Sequence, residues 1–321
     1  MNVRNISLFG VLFTFFVIAL GVWTRLVDAG LGCPDWPTCY GHIFWPVTPE
    51  EVSAAENDYG LIYELGKAIP EQVHRFGAAF LGLISIFLVL ITYYQSSNQK
   101  NKKTSIFLLF FICCQGLFGY LTVSLKLLPI IVTIHLFGAF ITLSIFFYLY
   151  IINSNLLSDL KVDGIKIISA LALIVLLIQI FLGVWTSTNY ASLVCSNDFP
   201  SCNGSYIPAM DFKQGFNLFQ EVGINYEGGV LENPARIAIH YSHRVTALIV
   251  AIVFLILVSK LWFSPAAPLG TTVGIILMTQ IALGIMNVVY VLPLYIAILH
   301  TMVAALLLLA TLTVNILAWK R

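Results

Sequence analysis

Four histidines recur at matched places in a chain that contains six. His74 and His243 each directly precede an arginine, and His135 and His300 each follow a proline by six or seven residues in an apolar segment. Paired imidazoles on facing helices are suited to axial ligation of haem iron. Neutral imidazole also binds zinc or copper, but no thiolate or carboxylate cluster is near enough in sequence to complete a tetrahedral site. The pattern predicts two haem sites with two histidine ligands each.

The two halves of this pattern differ at one position. Glu71 stands three residues before His74, whereas His240 stands three residues before His243. Residues three apart share a helix face, so we expect Glu71 to reach the same haem edge as His74. A carboxylate there can accept a proton or stabilise a developing positive charge. An acid directly after Pro70 also suits the N-terminal cap of a helix, and the sequence leaves both interpretations open.

Four arginines lie close to the histidines in the sequence. Arg75 and Arg244 directly follow two of them, and Arg25 and Arg236 are expected near the same surface. Guanidinium groups pair with carboxylates, so these arginines are candidates for binding the two propionates of a haem. Anchoring at the membrane interface is the alternative.

The six cysteines fall into three groups. The two pairs in long hydrophilic loops are Cys33 with Cys39 and Cys195 with Cys202. In an oxidising compartment such close pairs become disulfides. A structural staple is the default interpretation, and a reducible redox pair is the alternative. Cys113 and Cys114 lie in an apolar segment, where we expect them to be small buried hydrophobic residues.

The composition decides the class of protein that must position these residues. Of 321 residues, 59% are hydrophobic and only 10% are charged, and the mean hydropathy is +0.92. A soluble domain is about 25% charged, so a soluble globule is excluded. A net charge of +1 without long basic blocks also excludes a nucleic-acid-binding protein. The chain is predicted to be an integral membrane protein.

Eight apolar stretches are long enough to cross a bilayer as helices. They are 6–24, 71–94, 105–124, 129–152, 164–186, 236–262, 267–289 and 292–318. An even number places both termini on one side. The residues that would then face the cytoplasm are Arg4, Lys100, Lys102, Lys103, Lys161, Lys166, Lys260, Lys320 and Arg321, opposed there only by Asp159 and Asp163. The positive-inside rule therefore predicts cytoplasmic termini, with the four histidines toward the outer face.

An internal repeat links the two halves of the chain. Residues 21–39 read GVWTRLVDAGLGCPDWPTC, and residues 183–202 read GVWTSTNYASLVCSNDFPSC. Because the first span has this equivalent in mid-chain, we expect it to be retained rather than cleaved as a signal peptide. The predicted fold is all-α, with eight transmembrane helices in two tandem four-helix bundles, 1–155 and 156–321.

A shorter sequence pattern also recurs near the predicted outer end of every odd-numbered span. The glycines concerned are Gly21, Gly119, Gly183 and Gly284, and Gln115, Gln179 and Gln280 precede three of them by four residues. Close helix packing is the favoured interpretation of these glycines.

Together these residues resemble the haem A synthase family along essentially the whole chain. The matching features are the Glu71-x-x-His74-Arg75 motif, its counterpart at His240, and the two loop cysteine pairs. The resemblance implies oxidation of a methyl group of haem O to the formyl group of haem A. It implies that His74 and His135 hold the substrate haem, that His243 and His300 hold a haem b cofactor, and that Glu71 is catalytic. The cysteine pairs match the bacterial type that carries loop disulfides.

The resemblance also implies a setting and partners. The chain is expected in the bacterial inner membrane, receiving haem O from a farnesyltransferase and passing electrons to an acceptor. Two alternatives remain at this point. A di-haem electron-transfer protein explains the histidines but not Glu71, and a quinone-linked thiol–disulfide oxidoreductase explains the cysteines but not the histidines.

Overall fold

The computed structural model of this protein describes residues 2–96, 98–154, 156, 162–195 and 198–320. Within these ranges every regular element is a helix, and eight helices are long and apolar enough to cross a membrane. The chain is therefore an all-α, multi-pass membrane protein, as its composition predicts. Asp159, Lys161 and Arg321, which the orientation argument uses, and residue 155 at the predicted domain boundary lie outside the described residues.

Ten helices occur in the described ranges. The long ones are α1 (Val3–Leu26), α3 (Leu65–Gln95), α4 (Gln99–Ser124), α5 (Pro129–Ile152), α6 (Lys166–Thr188), α8 (Asn233–Trp262), α9 (Ala267–Val289) and α10 (Leu294–Trp319); the short ones are α2 (Pro49–Tyr59) and α7 (Phe212–Gly215). The predicted spans match the long helices closely except at the starts of α3 and α4. Both helices begin several residues earlier than predicted. The first turn of α4 is polar, and Gly66, Lys67 and Pro70 interrupt the apolar residues at the start of α3, so hydropathy does not register either start.

The first compact unit contains the residues up to Leu149 together with Phe219–Gly228. Its long helices close into a bundle: α1 packs on α3 and α3 packs on α4. Gly119 of α4 lies against His135 of α5, and Gly10 of α1 lies against the fully buried ring of Phe146 in α5. Small residues at such crossings allow two helices to approach closely.

The second unit contains Tyr150–Leu218 and the chain from Gly229 onward. Here α6 packs on α8, α8 on α9, α9 on α10, and α10 back on α6. Across the last of these crossings, the Asn315 side-chain amide donates to the Ser169 carbonyl at 2.9 Å. Each unit thus carries its four long helices as a closed bundle. The duplication and the domain boundary inferred from the sequence stay predictions.

The long loops that follow α1 and α6 each carry a disulfide-closed hairpin. The bonds join Cys33 to Cys39 and Cys195 to Cys202, in agreement with the predicted pairs. The second cysteine of each pair forms an antiparallel β-bridge with the residue three positions later. The two residues of the turn between them are Tyr40 and Gly41 in one loop and Asn203 and Gly204 in the other. All four of these turn residues have positive φ, the backbone arrangement of a type I′ turn, which favours glycine at its second position.

The segment Phe219–Gly228 belongs to the first unit although it follows α6 and α7 in the chain. Tyr226 is buried in a cluster with Leu127 and Leu128 at the end of α4, and its backbone N–H donates to the Lys126 carbonyl at 3.1 Å. Glu227 pairs with Lys67 at the start of α3 at 3.2 Å. We call Phe219–Gly228 the return segment.

The expectation that both cysteines of the third span are buried is wrong. Cys113 is exposed and Cys114 is only partly covered. Most of α4 lies on the outside of its bundle, with Leu117 and Phe110 also exposed, so the rest of the bundle does not cover this face of α4.

Candidate haem sites

His74 and His135 face each other inside the first unit. His74 is on α3 and His135 is on α5; their ring centroids are 6.4 Å apart and their planes are nearly perpendicular, at 86°. Two imidazoles on opposite sides of one metal ion, at metal–nitrogen distances of about 2.0–2.1 Å, have centroids roughly 6 Å apart. The two rings therefore stand at the separation that shared axial ligation requires.

His243 on α8 and His300 on α10 are the corresponding histidines of the second unit. Side-chain amides lie beside both rings. Gln179 Nε2 is 3.1 Å from His243 Nδ1, and Gln280 Nε2 is 3.2 Å from His300 Nε2. The structure thus gives two of the glutamines found in the sequence a direct contact with a candidate ligand.

A glycine on the neighbouring helix lies against each of the four histidine rings. A Cβ atom would lie 2.8 Å from His74 Cε1 at Gly21, 3.4 Å from His135 Cε1 at Gly119, 3.0 Å from His243 Cε1 at Gly183 and 3.1 Å from His300 Cε1 at Gly284. Helix packing, the interpretation favoured from the sequence, is correct in a specific sense. What packs closely at each of these glycines is the imidazole ring of a candidate ligand.

The donor set fits a haem better than a protein-only metal site. Among the described residues, no group of three or more histidine, cysteine, aspartate or glutamate side chains is placed to hold a metal ion, which a closed zinc site would need. In the same part of the chain, Nδ1 of His74, His135 and His300 is buried without a hydrogen-bond partner. Two imidazoles suffice for haem iron, since the porphyrin supplies its other four ligands.

Glu71 is held between the disulfide hairpin and an arginine. The backbone N–H of Cys33 donates to Glu71 Oε2 at 2.9 Å, and Arg75 Nη2 donates to Glu71 Oε1 at 2.5 Å. The carboxylate is almost fully buried. Because α3 begins at Leu65 and contains Pro70 in its interior, Glu71 does not cap the helix. The capping alternative is therefore wrong, and Glu71 lies one turn before His74.

His240 occupies the matching place before His243 but binds differently. Its Nδ1 lies 2.9 Å from the Ala191 carbonyl, and in the described residues its buried Nε2 has no hydrogen-bond partner. The second unit therefore places an imidazole where the first unit places a carboxylate.

The arginines that follow the histidines bind the disulfide hairpins. Arg75 Nη1 donates to the carbonyls of Asp35 and Thr38, both at 2.8 Å. Arg244 Nη1 donates to the Ser201 carbonyl, also at 2.8 Å. These carbonyl contacts were not foreseen from the sequence, which pointed only to propionates.

The other two arginines make local contacts at helix ends. Arg25 pairs with Asp28 at 3.2 Å, and Arg236 donates to the Asn233 side chain at 2.8 Å. Propionate binding by any of the four arginines stays a prediction.

Two aspartates that sequence reasoning missed organise the same hairpins. They belong to the repeated pattern Asp-x-Pro-x-Cys, at 35–39 and 198–202, which was the available signal. Burial alone would raise the pKa of Asp35, but hydrogen bonds from the Thr38 hydroxyl and the backbone of Gly41 outweigh it and hold that pKa below its ordinary value. The N–H of Gly204, with the Ser201 hydroxyl, lowers the pKa of Asp198 in the same way.

Comparison with known proteins finds similarity along nearly the whole chain. Residues 4–312 match the family of cytochrome oxidase assembly proteins named COX15-CtaA. The haem A synthase of Shewanella oneidensis is 40% identical over 319 residues, covering 96% of this chain and 94% of that protein. The haem A synthases of Rickettsia prowazekii and Pelagibacter ubique are 28% and 26% identical, covering 91% and 85% of this chain and 90% and 83% of those proteins.

Proposed function

The chain belongs to the COX15-CtaA family of cytochrome oxidase assembly proteins, and from that premise we propose that it works as a haem A synthase. Haem A synthases from several bacteria match nearly its full length. The single observation that carries the proposal is the pair of facing rings, His74 and His135, at a separation suited to one iron.

The reaction proposed is oxidation of a methyl group of haem O to a formyl group, which makes the chain an oxidoreductase. His74 and His135 would hold haem O as substrate, and His243 and His300 would hold haem b as cofactor. Bound there, the haems would supply redox chemistry. With water as the source of the formyl oxygen, the conversion releases four protons and four electrons, and the electrons pass on to an acceptor. Each glycine opposite a ring leaves the space that the ring occupies.

Glu71 gives the first unit its own chemistry. Its carboxylate is fixed from two sides, by the Cys33 N–H and by Arg75, and charge-assisted hydrogen bonds of this kind are strong and directional. A carboxylate held one turn from His74 is placed to accept the proton released when a substrate C–H bond is oxidised. His240, with a carbonyl as its partner, gives the second unit an imidazole in place of this carboxylate.

The proposed setting is a bacterial inner membrane with both termini in the cytoplasm. All four histidines then lie toward the outer face, where the disulfide hairpins are exposed to an oxidising compartment. We propose a haem O-producing farnesyltransferase as the partner that delivers the substrate.

Pigment analysis tests the function. Cells that express this chain with a haem O producer should accumulate haem A or a hydroxylated haem O, and the His74→Ala variant should not. Haem B alone in both strains would instead indicate a di-haem electron-transfer protein. Purified protein without any haem would favour a thiol–disulfide oxidoreductase and contradict the synthase.

A further inference from the structure

The first disulfide hairpin contacts α3 through a residue that has no side chain. This residue is Gly32, directly before Cys33. A Cβ atom at Gly32 would lie 2.5 Å from the carbonyl carbon and oxygen of Lys67 and 2.9 Å from the nitrogen of Ala68. All three atoms belong to the backbone of α3, which cannot rotate away as a flexible side chain can. Only glycine therefore allows the loop to lie this close to the helix.

This close approach brings the backbone of the hairpin to the Glu71 carboxylate. The Cys33 N–H donates to Glu71 Oε2 at 2.9 Å, and the backbone of Gly32 also faces the carboxylate. Ala68, which stands three residues before Glu71, is fully buried, and its carbonyl oxygen is 3.8 Å from Cys33 Sγ. The hairpin is thus packed against the same turn of α3 that carries Glu71.

The second hairpin carries larger residues at the matching positions. Val194 precedes its first cysteine, and Ile237 stands three residues before His240. Both side chains pack in one cluster with the disulfide, so apolar side chains lie at this contact between the loop and α8. The His240 ring lies beside a loop carbonyl, that of Ala191, and not beside a loop N–H. Small residues at the contact thus accompany the carboxylate, and large ones accompany the imidazole.

We propose that Gly32 is a positioning residue for Glu71, with Ala68 as its counterpart on α3. The missing side chain at Gly32 lets the hairpin lie close enough to α3 for the Cys33 N–H to hold the carboxylate beside the substrate haem. This inference rests on the proposed function, in which Glu71 accepts a proton during oxidation of haem O. Because the helix backbone is fixed, the size of residue 32 determines where the hairpin places its donor.

Gly32→Ala tests this role in purified full-length protein. Carbon atoms in favourable contact are about 3.5–4.0 Å apart, so the added methyl group should move the hairpin away from α3 by about 1 Å. The Cys33 N–H would then lie beyond the hydrogen-bonding range of about 2.7–3.2 Å from Glu71. Misplacement by about 1 Å costs up to about 10²-fold in rate, so haem A formation should fall by about that factor. Haem O and haem b contents should stay at the wild-type level, because all four candidate ligands are unchanged.

Two further variants accompany Gly32→Ala. Gly66→Ala is the matched control on the neighbouring part of α3, since a Cβ there meets nothing within 4 Å, and it should form haem A as the wild type does. Ala68→Val enlarges the same contact from the helix side, so it should lower haem A formation as Gly32→Ala does. Non-reducing mass spectrometry verifies that the disulfide of the first hairpin is intact in each variant.

A double-mutant cycle separates positioning of Glu71 from a general effect on stability. If Gly32 acts through the carboxylate, Gly32→Ala should cost nothing further in a Glu71→Gln background. A general loss of stability would lower haem A formation by the same factor in both backgrounds. Amide hydrogen exchange supplies a readout that needs no catalysis. Gly32→Ala and Glu71→Leu should each speed exchange of the Cys33 N–H, and Gly66→Ala should not.

The outcomes distinguish this inference from the proposed function. Haem A formation near the wild-type level in Gly32→Ala and Ala68→Val, or an equal loss with and without the Glu71 carboxylate, overturns the inference. Failure of both variants to fold with bound haem b also overturns it, because the contact would then serve stability alone. A wild-type protein that forms no haem A refutes the proposed function. Exchange at Cys33 then decides the inference by itself: a faster rate in Gly32→Ala supports positioning of the carboxylate, and an unchanged rate overturns it.

Discussion

A methyl group added at Gly183 should displace the ring of His243. In the Gly183→Ala variant, the new Cβ would lie 3.0 Å from His243 Cε1 and 3.7 Å from both ring nitrogens. Carbon atoms in favourable contact are about 3.5–4.0 Å apart, so the ring must retreat by about half an ångström. Retreat changes the position from which the ring would bind iron.

Two effects of opposite sign determine how Gly183→Ala changes the stability of the protein. Overpacking a well-filled site costs about 1–3 kcal/mol. Replacing glycine by alanine in a helix interior stabilises the helix by about 0.8–1.0 kcal/mol. The free energy of unfolding of the haem-free protein should therefore change little. The stabilisation of the helix by alanine does not favour haem binding, because α6 is already formed in both the haem-free and the haem-bound protein. A penalty of about 1–3 kcal/mol on ligation corresponds to an affinity for haem b lower by about 5–150-fold.

The assay compares haem b content and haem transfer to apomyoglobin in purified wild type and variants. Gly116→Ala is the matched control, since a Cβ there meets nothing within 4 Å, and it should bind haem as the wild type does. Each variant should lose the haem that its ring would bind, which is haem O for Gly21 and Gly119 and haem b for Gly183 and Gly284. Across the four contacts, this loss should be greatest for Gly21→Ala, at 2.8 Å, and least for Gly119→Ala, at 3.4 Å. Wild-type haem affinity in Gly183→Ala, or an equal loss in Gly116→Ala, would refute the reasoning.

Three further predictions follow from the same geometry. Glu71→Gln should lower haem A formation by about 10²–10⁴-fold, the usual effect of removing a general base, while haem b content stays at the wild-type level; near-normal product would leave Glu71 a structural role only. His243→Ala or His300→Ala should abolish the haem b absorption spectrum of purified protein, and a retained spectrum in both variants would disprove this ligand pair. The depressed pKa of Asp198 means that the ionised carboxylate stabilises its hairpin above pH 3.8 and that this stabilisation is lost as the pH falls through the folded-state value; acid-induced proteolysis of the hairpin should show that loss, and Asp198→Asn should abolish the pH dependence.

The helices were predictable because a bilayer imposes a minimum length on an apolar segment. That rule places α5, Pro129–Ile152, at the predicted bounds. A criterion based on apolar length does not detect a polar first turn of a helix, such as the one that Asn98 caps at the start of α4. Helix α2 was missed although its capping box is visible in the sequence, with Thr48 and Glu51 bonding reciprocally around Pro49.

The candidate ligands were predictable because their sequence motifs recur in both halves of the chain, but their surroundings were not. The contact between Glu71 and the Cys33 N–H joins residues far apart in sequence, and it depends on the path of the hairpin rather than on residue type. Arginine chemistry alone could not show that Arg75 binds backbone carbonyls, because every loop residue has one. The glycine opposite each imidazole was visible in the sequence, but only the pairing of helices shows which side chain it accommodates.

The return segment has a consequence for the order in which the protein is made. Synthesis of the residues between the end of α5 and Gly228 takes on the order of 4–15 s, at about 5–20 residues per second. During that interval all four long helices of the first unit have left the ribosome, but Tyr226 does not yet cover Leu127 and Leu128, and Lys67 lacks Glu227. The first bundle is thus completed only after α6 has been made, so a chain that ends after α5 would keep this apolar cluster open at the membrane surface.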